Sequence, residues 1–127
     1  MSGGAGCDAA RYVLLIEDDS DIRSTIADVL ELEGYRVVTA RNGRDALERL
    51  SAPQRPCLIL LDLMMPGMNG WEFRQEQVRS EELASIPVVI LSGDGSIEQK
   101  AASLQVAGHL RKPVQLEALL DMIRRYC

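Results

Sequence analysis

Four apolar residues, Leu58-Ile59-Leu60-Leu61, run without a polar interruption and stop on Asp62, after which Pro66, Gly67, Asn69 and Gly70 force a turn. An unbroken apolar run of strand length between turn residues reads as a strand buried on both faces, the usual centre of a parallel sheet. In an open α/β sheet, ligands and chemistry collect outside the carboxyl ends of the strands. Asp62 stands at such an end. The other reading of this stretch alone is a helix N-cap aspartate, and the rest of the chain weighs against it.

The same pattern recurs. Tyr12-Val-Leu-Leu-Ile16 is a second buried strand that runs into Glu17, Asp18 and Asp19, and Ser20 or Asp21 is placed to cap the helix that follows. That helix carries Ile22, Ile26, Val29 and Leu30 at helical spacing and stops at Gly34. Arg36–Ala40 reads as a more polar edge strand, and Asn42 caps a short helix bearing Ala46, Leu47 and Leu50. Beyond Gly70 a helix is expected from Trp71 to Ser80, with Asn69 and Glu72 spaced as a capping box and Trp71, Phe73 and Val78 facing the core. Pro87–Leu91 is a fourth strand ending on Ser92, a helix with Ile97, Ala101 and Leu104 follows, and His109–Lys112 is a short fifth strand closed by Pro113. Leu116, Leu119, Leu120 and Ile123 mark the last helix. Strand and helix thus alternate five times, which predicts an α/β fold with right-handed parallel crossovers and helices on both faces.

Composition narrows the function. With 127 residues the chain is one domain, expected over 11–127, after a Gly-rich, patternless tail at 1–10. Nineteen acids against 14 bases give a net charge of −5, which argues against direct nucleic-acid binding. Neither a membrane-spanning apolar run nor a signal peptide is visible, so no membrane insertion and a cytoplasmic location are expected. The three cysteines, Cys7, Cys57 and Cys127, are far apart, form no zinc pattern, and read as free thiols in a reducing compartment.

Four strand ends carry a functional group: Asp18 and Asp19, Asp62, Ser92 and Lys112. In a parallel sheet these ends share one edge. Crowded carboxylates repel one another unless a cation sits among them, and hard oxygen donors without sulfur or imidazole suit Mg²⁺. A lysine and a hydroxyl beside such an ion are the groups that would hold a phosphoryl oxygen. Acid, metal, hydroxyl and lysine together point to phosphoryl transfer to or from a carboxylate.

These pieces, Leu-Ile-Glu-Asp18-Asp19-Ser, Leu-Asp62-Leu-Met-Met-Pro-Gly-Met-Asn-Gly, Val-Ile-Leu-Ser92-Gly and His109-Leu-Arg-Lys112-Pro113, closely resemble the receiver domain of two-component response regulators. The resemblance spans Arg11 to Tyr126. It implies a three-layer, doubly wound (βα)5 flavodoxin-like sandwich with parallel sheet order 2-1-3-4-5. It further implies that Asp62 accepts a phosphoryl group from a phosphohistidine, on a sensor histidine kinase or a histidine phosphotransfer protein. Asp19 and Asp62 would ligate Mg²⁺ directly, Asp18 largely through water, and the Met64 backbone carbonyl would complete the protein ligands. Lys112 and Ser92 would hold the phosphoryl oxygens, with the Lys112–Pro113 peptide cis. The resemblance also implies a signalling switch with slow autodephosphorylation, rather than a turnover enzyme. Ser92 and His109 would be the switch residues, with a downstream protein and a second copy of the chain as further partners.

The chain departs from the common pattern at the output side. His109 stands where tyrosine or phenylalanine is usual, Val114 replaces the common phenylalanine, the segment from Ser92 to Lys112 is short, and Arg74 and Gln77 occupy positions often held by leucine. Three other readings compete. A Mg²⁺-dependent phosphohydrolase with an aspartyl intermediate typically needs an acid where Met64 stands. A flavin protein of this fold would have its phosphate repelled by Glu17-Asp18-Asp19. A receiver-like module binding partners without phosphorylation is the remaining alternative, and retention of the whole set weighs against it. Whether such a receiver stands alone or belongs to a longer regulator or hybrid kinase stays open at this point.

Overall fold

A computed structural model describes residues 12–63, 70–93, 99, 102 and 105–127. The elements are β1 (Val13–Ile16), α1 (Ser20–Leu32), β2 (Val37–Ala40), α2 (Gly43–Leu50), β3 (Leu58–Asp62), α3 (Gly70–Arg79), the single turn α4 (Glu81–Ala84), β4 (Val88–Ser92), β5 (Gly108–Arg111) and α5 (Leu116–Tyr126). All strands are parallel and their order is β2-β1-β3-β4-β5. β3 is central, as its uninterrupted apolar run requires, and every residue of β1, β3 and β4 is buried. The more polar β2 and β5 form the edges.

Period-two alternation sorts the strand residues between two helical layers. Val13, Leu15, Leu58, Leu60, Val89 and Leu91 pack with Ile26 and Leu30 of α1 and with Leu119, Leu120 and Ile123 of α5. Leu14, Ile16, Ile59 and Leu61 pack with Ala46 and Leu50 of α2 and Phe73 of α3. The result is the three-layer sandwich expected from the pattern of elements.

Several local expectations change. The cap of α1 is Asp19, one residue before Ser20 and two before Asp21, and its carboxylate accepts from the Asp21 and Ile22 backbone N–H groups. On α3, Val78 is half exposed, whereas Gln77 is completely buried. Gln77 lies one turn from Phe73 and so shares its face, while Val78 is rotated out to solvent. Its amide is satisfied: Nε2 donates to the carbonyls of Leu83 and Ile86, and Oε1 accepts from Arg74. Arg74 also donates to the Gln105 carbonyl at 2.9 Å. The expectation of three free thiols is corrected for two of them: Cys57 and Cys127 form a disulfide with Cα atoms 5.4 Å apart. The fold brings the start of β3 beside the end of α5, a proximity no spacing rule reveals. The expected tail and Cys7, the Met64 carbonyl, the Asn69 capping partner and the helix bearing Ile97, Ala101 and Leu104 lie outside the described residues.

Candidate functional site at the carboxyl edge of the sheet

The strand ends meet as parallel pairing demands. Glu17 follows β1, Asp62 closes β3, Ser92 closes β4 and Lys112 follows β5. Counting along the strands, Glu17, Asp62 and Lys112 all fall on the face covered by α1 and α5. β3 and β4 separate β1 from β5, so the long lysine side chain is what closes the cluster. Lys112 Nζ lies 2.8 Å from Glu17 Oε1 and 3.5 Å from Asp62 Oδ1. Glu17 is 1% exposed and Asp62 3%, whereas the Lys112 side chain is 23% exposed. Burial alone would lower the lysine's pKa, but the hydrogen bond to Glu17 and the charges of Asp62 and Glu17 outweigh it. The net shift is upward, and Lys112 stays a cation throughout the physiological range.

Glu17 is held at both oxygens, Oε1 by Lys112 and Oε2 by the Asp19 backbone N–H at 3.2 Å. Ser92 is buried, and its carbonyl accepts from the Lys112 N–H at 2.9 Å, which fixes the end of β5 against β4. The Lys112–Pro113 peptide is cis. Gly70, the first residue of α3, packs directly on the end of β3: a Cβ there would lie 2.8 Å from Leu63 Cα and 3.0 Å from the Asp62 carbonyl oxygen. An open groove of about 580 Å³ adjoins the cluster, bounded by Asp21, Ile22, Thr25 and Ile26 of α1 and by Lys112–Val114.

The carboxylates that converge are Glu17, Asp18 and Asp62, each offering an oxygen within 4.8 Å of the others. Asp19, expected from the resemblance as a direct ligand, turns one carboxylate oxygen, Oδ1, to two backbone N–H groups at the N-terminus of α1. In the sequence Glu17 is only part of an acidic run. The signal that could have found it is the alternation itself, since an odd-numbered continuation of Val13 and Leu15 points to the same face as Asp62. Three carboxylates gather, the two buried ones beside one lysine, and this excess of hard anionic oxygen fits a small divalent cation such as Mg²⁺. His109 is half buried in β5, paired in register with Ile90, and lines a separate groove of about 510 Å³ with Val106, Gly108 and Met122.

The family model of the response regulator receiver domain matches residues 13–124. The chain is 31% identical to sporulation initiation phosphotransferase F of Bacillus subtilis, covering 90% of this chain and 91% of that protein. It is 34% identical to the phosphate regulon transcriptional regulatory protein PhoB of Escherichia coli, covering 91% of this chain and 51% of that one. Against the C4-dicarboxylate transport regulator DctD of Pseudomonas aeruginosa, identity is 32% over 98% of this chain but only 27% of the relative's length. The chain thus spans about a quarter to a half of several curated relatives. Among solved structures, the chemotaxis protein CheY4 of Vibrio cholerae superposes with a TM-score of 0.82 at 29% identity, covering 92% of this chain and 98% of that one. A receiver protein from Pseudomonas putida gives 0.83 at 27% identity, covering 91% and 96%. Among the described residues no helix is long and apolar enough to cross a membrane. By its sequence, its sheet order and its cluster of strand-end acids with one lysine, this chain belongs to the receiver-domain family of two-component response regulators.

Proposed function

We propose that the chain is a phosphorylation-activated switch acting in the cytoplasm, in which Asp62 takes a phosphoryl group from a phosphohistidine on a sensor histidine kinase or histidine phosphotransfer protein. The observation that carries this reading is the buried Asp62 carboxylate, with a lysine ammonium 3.5 Å away and two further acids converging on it. An Asp62 oxygen attacks phosphorus as the bond to the histidine nitrogen breaks, and the imidazole leaves and regains a proton. Lys112 offers its ammonium to the incoming phosphoryl oxygens while Glu17 and Asp19 hold the acidic loop in place. Glu17, Asp18 and Asp62 would hold Mg²⁺, with the Met64 carbonyl as the further ligand implied by the resemblance. When bound, the ion offsets the repulsion among the carboxylates and draws charge from the phosphoryl oxygens.

Ser92, buried beside the lysine's backbone, is assigned to the phosphoryl group, and His109 to the switch position through which β5 reports the change to a downstream protein or to a second copy of the chain. Slow autodephosphorylation resets Asp62. Acetyl phosphate with Mg²⁺ tests the reading by intact mass: wild type should gain one phosphoryl group, and Asp62→Ala none. Modification that persists in Asp62→Ala, or none in wild type with acetyl phosphate or a phosphorylated donor protein, would overturn it.

A further inference from the structure

We infer that Arg23 is a positioning residue for the metal-binding carboxylates, acting through the backbone of the residues that carry them; this rests on the Mg²⁺ site proposed above. The Glu17 N–H makes the last bond to β2, at 3.0 Å to the Ala40 carbonyl, after which the chain leaves the sheet. Glu17 therefore projects its carboxylate from the residue where strand pairing ends, and Asp18 from one that pairing no longer holds. Arg23 Nη1, from the first turn of α1, donates to the Glu17 carbonyl at 2.9 Å and, at 3.4 Å, to that of Asp18. The carbonyls it grips belong to the same two residues that contribute to the acidic cluster.

Arg23 is itself anchored, since its own N–H bonds the Asp19 carbonyl at 2.9 Å to open the helix. Asp19 in turn caps α1 and gives its N–H to Glu17 Oε2. Strand end, cap and guanidinium thus form a closed set of bonds, and the peptide planes on either side of Asp18 are fixed by it. A fixed backbone aims both carboxylates before any ion arrives, which is how groups behind a metal ligand raise affinity.

Charge and geometry push in opposite directions here, so the idea is testable. A cation beside a metal site repels Mg²⁺, and if charge were all that mattered, removing Arg23 would tighten binding. Positioning demands the reverse. Titration calorimetry with Mg²⁺ and no phosphoryl donor should show Arg23→Ala weakened by about tenfold or more, the usual size for losing a group behind a metal ligand. Arg23→Gln, neutral but still a donor, should fall between Ala and wild type. Arg23→Lys should also bind more weakly than wild type, because its charge is kept while the planar donor group is lost. With acetyl phosphate, the Mg²⁺ concentration giving half-maximal rate should rise in step while the rate at saturating Mg²⁺ is kept. Melting in EDTA verifies that each variant is folded, and Gln serves if Ala is not. Unchanged or tighter Mg²⁺ binding in folded Arg23→Ala or Arg23→Gln overturns the inference. Failure of the wild type itself to bind Mg²⁺ overturns the metal site on which it rests.

Discussion

Glu17 and Asp19 sit two residues apart and do different work. Glu17 is buried against Lys112 and converges with Asp18 and Asp62, whereas Asp19 faces two helix N–H groups. Glu17→Gln should therefore weaken Mg²⁺ binding by an order of magnitude or so. Asp19→Asn should leave it within a few-fold, because asparagine caps a helix about as well as aspartate. Asp19→Ala should cost about 0.5–2 kcal/mol of stability through the lost cap. Calorimetry and urea melts separate these outcomes, and a loss of Mg²⁺ affinity in Asp19→Asn matching that in Glu17→Gln would return Asp19 to the ligand set. The residue scale also shows where reading by apolarity misleads. Gln77 is polar yet wholly buried, and the carbonyls of Leu83 and Ile86, delivered by the chain beyond α3, together with the Arg74 guanidinium make that burial tolerable.

Among the elements, α3 is docked through the absence of a side chain at Gly70. The atoms a Cβ would meet include the Leu63 backbone, which cannot swing aside as a flexible side-chain tip would. Gly70→Ala should therefore push α3 off the end of β3, costing about 1–3 kcal/mol as overpacking does. Slower phosphorylation of Asp62 should accompany the lower melting temperature; unchanged values of both would mean that the helix shifts freely. At the other end of β3 the Cys57–Cys127 disulfide ties α5 to the sheet across a sequence separation of 70 residues. Constraining the unfolded chain with a loop of that length is worth about 4 kcal/mol in the chain-entropy model. Reductant, or Cys127→Ser, should lower the unfolding free energy by about that amount, read as a lower urea midpoint, and leave phosphorylation of the folded protein intact, since the bond lies at the end of the sheet remote from Asp62. Identical midpoints with and without reductant would remove the disulfide from the account.

For the whole molecule, the acidic edge is a store of repulsion held in place by a buried core. Three carboxylates converge with a single ammonium beside two of them, so the metal-free protein carries an electrostatic cost that a bound cation removes. Melting temperature should rise with Mg²⁺ concentration, by the equivalent of about 2.7 kcal/mol at one hundred times the dissociation constant. Asp62→Asn should melt higher than wild type in EDTA and gain less from Mg²⁺; equal melting in EDTA would show that repulsion among these acids does not limit stability.

How much of this was legible depends on the range of the interaction concerned. Unbroken apolar runs in Val13–Ile16, Leu58–Leu61 and Val88–Leu91 dictated buried parallel strands, and the helical spacing of Ile26 with Leu30 and of Leu119 with Ile123 dictated what covers them. The sequence also determined that Asp62, Ser92 and Lys112 close successive strands, and parallel pairing alone then puts them on one edge. Tertiary structure decided what lies between residues distant in the chain or set by a single step of rotation. It selected Glu17 rather than Asp19 as the neighbour of Lys112, because alternation from β1 and the demands of the α1 N-terminus divide the acidic run between two tasks. It buried Gln77 in place of Val78, and it joined Cys57 to Cys127. Local pattern fixes which face a residue takes; only the folded chain brings the partner that makes the placement pay.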